Sequence, residues 1–122
     1  MKFEDFTKMT VWQKAFKLVL KIYDKTAEYP TEEKFGLISD MRRAANSITQ
    51  NTAEGFGRYE PKDRTRFYKI SRGSSYELMS QIYISDELKY IKTDGLAEKL
   101  IEDSKEIISE LNSIIKTVES KT

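Results

Sequence analysis

The sequence predicts an all-α protein that folds as an antiparallel, up-down-up-down four-helix bundle. Apolar residues recur at spacings of three and four in four successive segments, which is the period of an amphipathic helix. Only five glycines and two prolines are present, and no segment shows the alternating pattern of a strand. Because the connections between the segments are short, consecutive helices reverse direction, and the 122 residues form a single domain.

The first helix is predicted over residues 10–28. Thr10 can cap its first turn while Gln13 reaches back to the cap. Pro30 ends the helix, because the residue before a proline is pushed out of the helical region. The apolar residues at helical spacing are predicted to form its core face: Trp12, Ala15, Phe16, Val19, Ile22 and Tyr23.

The second helix is predicted over residues 32–56. Thr31 can cap it, and Gly55 and Gly57 are expected to end it, since glycine tolerates the left-handed conformation of a helix stop. Its stripe continues at the same spacing through its whole length: Leu37, Met41, Ala45, Ile48, Thr52 and Phe56.

The third helix is predicted over residues 61–90, with Pro61 in its first turn, and the fourth over residues 94–119. Gly73 lies in the middle of the third helix, where it predicts the close approach of another helix. One side of this helix is expected to carry Phe67, Ile70, Ser71, Ser74, Leu78, Ile82 and Leu88. The fourth helix has the cleanest apolar stripe: Leu96, Leu100, Ile107, Leu111, Ile114, Ile115 and Val118.

Two stretches rich in small residues, 41–58 and 71–78, are predicted to pack face to face. Adjacent helical residues point about 100° apart, so Arg42 and Arg43 cannot serve one site equally. One of them, assigned here to Arg43, is expected to pair with an acid inside the bundle or across an interface. The candidate structural polar network consists of Arg43, Asn51, Glu54, Ser74 and Glu77.

Histidine and cysteine are both absent. The chain therefore lacks the commonest general base, the commonest transition-metal ligand and any thiol nucleophile, so no catalytic residue, cofactor or metal site is predicted. The N-terminal stretch has no apolar core of signal-peptide length, and no run approaches the ~18 apolar residues of a membrane span. The predicted location is the cytoplasm, with no membrane association.

The candidate nucleic-acid surface begins where the second helix ends. Residues 58–72 carry six basic and two acidic side chains, whereas residues 86–122 carry six basic and nine acidic ones. Tyr59, Phe67 and Tyr68 are interleaved with the cations, and such a surface can neutralise phosphates and stack bases. The alternatives are a solvated helix face or pairing with the acidic fourth helix. The candidate binding residues are Arg58, Lys62, Arg66, Lys69 and Arg72.

One string of residues is more specific than helix packing requires. It comprises Arg42-Arg43-Ala44-Ala45, Ser47-Ile48, Asn51, Ala53-Glu54-Gly55 and Gly57-Arg58, accompanied by Val11-Trp12-Gln13-Lys14-Ala15, Gly73-Ser74, Glu77-Leu78 and Tyr90-Ile91. With these residues, nearly the whole chain resembles the bacterial four-helix-bundle family of proteins encoded by intervening sequences in 23S rRNA genes. It is also similar to the accessory variability determinant of diversity-generating retroelements. The chain departs from the common family pattern at Asp40, Thr49, Thr52 and Ser71.

The resemblance implies an antiparallel four-helix bundle that assembles into a ring-like homopentamer, and it implies no established enzymatic activity. The retroelement relatives are implied to bind nucleic acid and a reverse transcriptase through a basic surface, which points to the cations of the third helix. The favoured interpretation is thus a non-enzymatic, oligomeric protein that binds RNA or DNA. One alternative is a scaffold or adaptor that binds a protein partner and no nucleic acid. Another is an enzyme that uses Glu54 and Glu77, which would require a polar cavity around both.

Overall fold

The computed structural model describes residues 5–121 and contains four α-helices. They are α1 (Thr10–Thr26), α2 (Leu37–Phe56), α3 (Pro61–Glu87) and α4 (Leu96–Glu119). Short 3-10 helices at Phe6–Lys8 and Thr31–Glu33 precede α1 and α2, and the described part of the chain has no strand. The helices pack against each other around one hydrophobic core, which confirms the predicted all-α fold with four helices.

The core face of α1 is only partly the one predicted: Ala15 and Ile22 are buried and Val19 packs against the core, but the predicted aromatic residues are not core residues. Val11, Ala15, Leu18 and Ile22 are buried, whereas Tyr23 is 41% exposed. Trp12 and Phe16 are only half-buried, with their rings stacked at 5.1 Å. Two apolar series, offset by one position, both satisfy helical spacing here, so periodicity alone could not choose between them.

The beginnings of the first two helices also differ from the prediction. Met9 precedes α1, and Thr10, inside the first turn, donates a hydrogen bond to Glu110 Oε1 at 2.8 Å instead of capping its own helix. The second helix begins only at Leu37, whose backbone N–H donates to Glu33 Oε1 at 3.2 Å. Glu33 therefore performs the capping role predicted for Thr31, because the intervening residues form a separate turn.

The predicted close contact between α2 and α3 is confirmed, but a different glycine lies in it. Gly55 is buried against the ring of Tyr68, and a side-chain Cβ at Gly73 would meet nothing within 4 Å. Gly57 has a right-handed φ of −79°, so the predicted left-handed helix stop is wrong. Within the described residues, a left-handed backbone occurs instead at Lys89 and Gly95, with φ values of 64° and 80°.

Hydroxyl groups make up much of the α2–α3 contact. Thr52 and Ser71 share a hydrogen bond at 2.9 Å, and Ser71 Oγ also lies 2.8 Å from the carbonyl oxygen of Ile48, to which it donates. Larger apolar residues that were predicted on the core side of α3 are exposed, namely Ile70 and Leu88. The small side chains let the two helix backbones approach closely, so α3 buries Ser and Thr where a helix usually buries Leu or Ile.

No helix in residues 5–121 combines the length and the apolar character that a membrane crossing requires.

Candidate nucleic-acid interface

The predicted basic residues begin with Arg58 in the connection from α2 to α3 and continue along the first half of α3. Phe6, just before α1, packs edge-on against Phe56 at the end of α2, with 6.4 Å between the ring centroids. On α3, Lys69 Nζ lies 2.8 Å from Glu119 Oε2 at the last residue of α4. We call the surface formed by Arg58, Tyr59, Lys62 and Arg66 the cationic end.

Two arginines of the cationic end share one aromatic ring. The guanidinium carbons of Arg58 and Arg66 each lie 4.7 Å from the centroid of the Phe67 ring. Arg58 also forms an ion pair with Glu54, with Nη2 and Oε2 separated by 3.0 Å. Arg58 therefore contacts both a carboxylate and an aromatic ring, whereas Arg66 contacts the aromatic ring and forms no ion pair within residues 5–121.

The five predicted binding residues are not equivalent once α4 is in place. Lys69 is paired with Glu119, and Arg72 Nη1 donates to Asn112 Oδ1 at 2.8 Å. Within residues 5–121, Lys62 and Arg66 form no ion pair. The alternative prediction, pairing with the fourth helix, thus holds for Lys69, while Lys62 and Arg66 keep their charges unneutralised at the surface.

The interleaved aromatic residues also separate into different roles. Tyr68 is fully buried beneath Gly55, and Phe67 is half-buried beside the two arginines. Tyr59 is 93% exposed in the connection between the helices. It is therefore the one aromatic residue of the three whose ring is open to solvent.

The candidate polar network divides into separate groups. Asn51 Nδ2 donates to the carbonyl oxygen and the Oγ of Ser47, at 2.8 and 2.9 Å, and Ser47 shares a 2.7 Å hydrogen bond with Ser74. Arg43 Nη2 lies 3.7 Å from Glu77 Oε2, but Arg43 is exposed, so this ion pair is at the surface and not inside the bundle. Glu54 belongs to neither group.

The sequence interpretation missed the structural role of Arg42. Its Nε donates to Thr26 Oγ1 at 2.9 Å, and its Nη2 donates to the carbonyl oxygen of Tyr23 at 3.2 Å. Its guanidinium also lies 4.6 Å from the centroid of the Tyr23 ring. Arg42 therefore ties α2 to the last turn of α1, and it adds a second donor to the Tyr23 carbonyl oxygen, which also accepts from the backbone N–H of Ala27 at 3.3 Å. In the sequence, the available signal for this role was an arginine in the helix that follows the end of α1.

The carboxylate pair proposed for acid–base chemistry is not brought together. Glu54 and Glu77 are both exposed, and each forms an ion pair with a different arginine. Neither residue lines the cavity of about 380 Å³ between α1 and α4 or that of about 270 Å³ between α3 and α4. In the described part of the chain, no three carboxylates cluster closely enough to hold a metal ion.

Shifted tyrosine pKa values occur beyond the ends of α1 and α3. The rings of Tyr29 and Tyr90 lie 5.2 Å apart. Burial raises the pKa of Tyr29. The hydrogen bond that Tyr90 donates to Glu33 Oε2, 3.0 Å long, raises the pKa of Tyr90. Both hydroxyls stay protonated at neutral pH, so Tyr90 can donate its hydrogen bond to Glu33 there and neither tyrosine adds a charge.

Comparison with known proteins identifies the family. Residues 7–113 match the family described as "23S rRNA-intervening sequence protein". No curated protein matches the chain. A solved structure from Bacteroides thetaiotaomicron VPI-5482, titled as a protein with unknown function from the S23 ribosomal protein family, is similar in fold. Its TM-score is 0.78 at 23% sequence identity, over 87% of this chain and 95% of that one. The chain belongs to the family of 23S rRNA-intervening sequence proteins.

Proposed function

We propose that this protein binds nucleic acid, RNA or DNA, through the cationic end and catalyses no reaction. The observation that carries the proposal is the pair of exposed, unneutralised cations Lys62 and Arg66 at the start of α3, which follows the connection that carries the exposed Tyr59. Cations that are not already paired can replace the counterions of a phosphate backbone, and the released ions drive binding. A cation that is already paired with a carboxylate of the same chain has to break that ion pair before it can contact a phosphate.

Charge polarity supports a defined orientation on the ligand. Residues 58–72 have a balance of +4, and the two acids that pair with them, Glu54 and Glu119, reduce the local balance to +2. The acidic α4 repels phosphates, which leaves the cationic end as the approachable side. A balance of +2 gives weak binding for a single chain, so several copies acting together would be needed for strong binding.

We further propose that the bundle is antiparallel and assembles in the cytoplasm into a ring-like homo-oligomer, a homopentamer by resemblance. Ser47 contacts Ser74 and Thr52 contacts Ser71, so residue numbers rise along α2 as they fall along α3, which supports antiparallel packing. Large apolar side chains on α3 and at the residue that follows it are 42–57% exposed, which supports self-association. They are Ile70, Tyr76, Tyr83, Ile84 and Leu88.

The binding proposal is tested by fluorescence anisotropy with labelled RNA and DNA oligonucleotides over a range of salt concentrations. Changing Lys62 and Arg66 together to Gln removes two phosphate contacts, so the slope of log K against log salt should become shallower by about 1.4–1.8. The matched control changes Lys17 and Lys21 to Gln, since these exposed α1 lysines also form no ion pair within residues 5–121. No binding at low salt, or an equal loss in the control, contradicts the proposal.

The assembly proposal is tested by light scattering. The expected mass is five times the 14.3 kDa of one chain. Changing Ile84 to Glu places a charge among the exposed apolar residues of α3 and should lower the mass. The control changes Thr117, exposed on α4, to Glu and should leave it unchanged. A monomer in the unmodified protein refutes the ring.

A second candidate function, a scaffold or adaptor for a protein partner, is supported by the same exposed apolar residues of α3. A partner of another sequence can cover them as well as a second copy can. Co-purification from the native host after nuclease treatment separates the two, since a protein that stays bound without nucleic acid favours the adaptor. The relationship to retroelement accessory proteins, with a reverse transcriptase as partner, stays a prediction.

A further inference from the structure

We infer that the cationic end recognises single-stranded nucleic acid, with Tyr59 as the residue on which a base stacks. This inference rests on the proposed function and adds the class of ligand to it. Tyr59 is 93% exposed and lies in the chain between Arg58 and Lys62. An exposed aromatic ring flanked by cations is the arrangement with which single strands are bound, because every unpaired base offers a face for stacking.

The ring is carried by a short connection that is fixed on both sides. On one side, Arg58 is held by its ion pair with Glu54 and by the Phe67 ring. On the other side, Pro61 opens α3, and its ring restricts the backbone. A ring on a fixed connection loses little conformational freedom when a base stacks on it, which favours binding.

The unneutralised cations suit one strand better than two. Lys62 and Arg66 lie one helical turn apart, about 6 Å along α3. Acids border this narrow strip, with Glu60 and Asp63 on the chain beside it and Glu119 at the end of α4. A duplex presents two phosphate backbones over a wider surface and would meet those acids, whereas one strand can follow the two cations alone. A duplex also hides the faces of its bases, so the Tyr59 ring would have no stacking partner along its length.

The test compares a labelled single-stranded pyrimidine oligonucleotide with a blunt duplex of the same sequence, both at low salt. Changing Tyr59 to Ala should weaken single-strand binding by about 5- to 140-fold, the range for loss of one stacked base. Tyr59→Phe keeps the ring and should bind within about twofold of the unmodified protein. Because stacking releases no counterions, the salt slope should stay unchanged in Tyr59→Ala.

The matched control is Phe35→Ala. Phe35 is also highly exposed, at 88%, but it lies in the connection between α1 and α2. Its removal should not change the affinity for either oligonucleotide. An abasic strand provides an independent measure, since it keeps the phosphates and offers no base. The unmodified protein should bind it about as weakly as Tyr59→Ala binds the complete strand.

The outcomes separate this inference from the proposed function. If Tyr59→Ala binds the single strand as tightly as the unmodified protein, or weakens both ligands equally, the stacking role is wrong while nucleic-acid binding stands. Tighter binding to the duplex than to the single strand also overturns the inference. If neither ligand binds at low salt, the proposed function itself fails.

Discussion

Two glycines within helices should respond to alanine in opposite directions, because only one of them faces another helix. A Cβ at Gly55 would lie 2.6 Å from Tyr68 Cε1, 2.8 Å from Tyr68 Cδ1 and 3.1 Å from the carbonyl oxygen of Arg64. At Gly73, in the middle of α3, a Cβ would meet nothing within 4 Å. The two substitutions therefore add the same methyl group to a closed and to an open environment.

The expected magnitudes follow from two competing terms. Alanine in place of glycine favours a helix by about 1 kcal/mol, so Gly73→Ala should stabilise the protein by nearly that amount. At Gly55 the same gain is offset by overpacking, which typically costs about 1–3 kcal/mol. The cost should lie near the upper end, because the Tyr68 ring is fully buried and the second obstacle is backbone. Gly55→Ala should thus lose about 1–2 kcal/mol net.

Urea denaturation of the two variants and the unmodified protein measures these differences, and thermal melting should show them as shifts of roughly 4 °C per kcal/mol. A Gly55→Ala variant as stable as the unmodified protein would show that α2 and α3 are not in close contact there. The variant Tyr68→Leu supplies the control, because it removes the ring. If the ring is the obstacle, Gly55→Ala should cost less when it is added to Tyr68→Leu than when it is made in the unmodified protein.

Three further predictions concern stability. Tyr68→Phe should stabilise the protein by about 1 kcal/mol in urea denaturation, because the buried hydroxyl has no hydrogen-bond partner in the described structure. Arg42→Ala should destabilise the protein by about 1–2 kcal/mol and Arg43→Ala by less than about 0.5 kcal/mol, since Arg42 makes two hydrogen bonds to the last turn of α1 whereas Arg43 forms surface ion pairs. Equal effects would contradict these roles. The free energy of unfolding should also fall as the pH rises through 10.0. The pKa values of Tyr29 and Tyr90 are raised in the folded protein, so these two residues lose their protons at a lower pH in the unfolded chain than in the folded one. Changing both to Phe should flatten this decline in melting experiments between about pH 9 and pH 11, and an unchanged decline would refute the linkage.

The helices could be predicted from the sequence to different degrees. On α4, one apolar series satisfies helical spacing, and the residues predicted for the core are buried or packed against it. On α1, two adjacent series satisfy the same spacing, and the prediction shares Ala15 and Ile22 with the buried face but includes Trp12, Phe16 and Tyr23 in place of Val11 and Leu18. The burial of Val11 and Leu18 depends on how α1 sits against α2 and α4, which the local sequence does not encode.

In the candidate site, too, features set by neighbouring residues could be predicted from the sequence, whereas features set by contacts with distant residues could not. The clustering of cations after α2 is local, so the sequence revealed it. Which cations stay unpaired depends on partners 40 and 50 residues away, as in the contacts of Arg72 with Asn112 and of Lys69 with Glu119. Tyr59 and Tyr68 are likewise the same residue type, and the packing of Tyr68 against Gly55 of α2 is visible only in the structure.

The composition of α3 links the interior of the bundle to the proposed assembly. Its buried side includes Thr65, Ser71, Ser74, Ser75 and Ser85, while large apolar side chains lie on its outer side. In a single chain this arrangement leaves apolar surface exposed to water. Covering that surface with a partner would be favourable by a free energy of about 25 cal/mol for each Å² of apolar surface buried. Covering it with a second copy would stabilise the assembly and place several cationic ends on one particle. A nucleic-acid strand could then contact more than one of them, and the second contact would form at the high effective concentration set by the assembly. Affinity would therefore depend on the outer side of α3 as well as on the cations themselves.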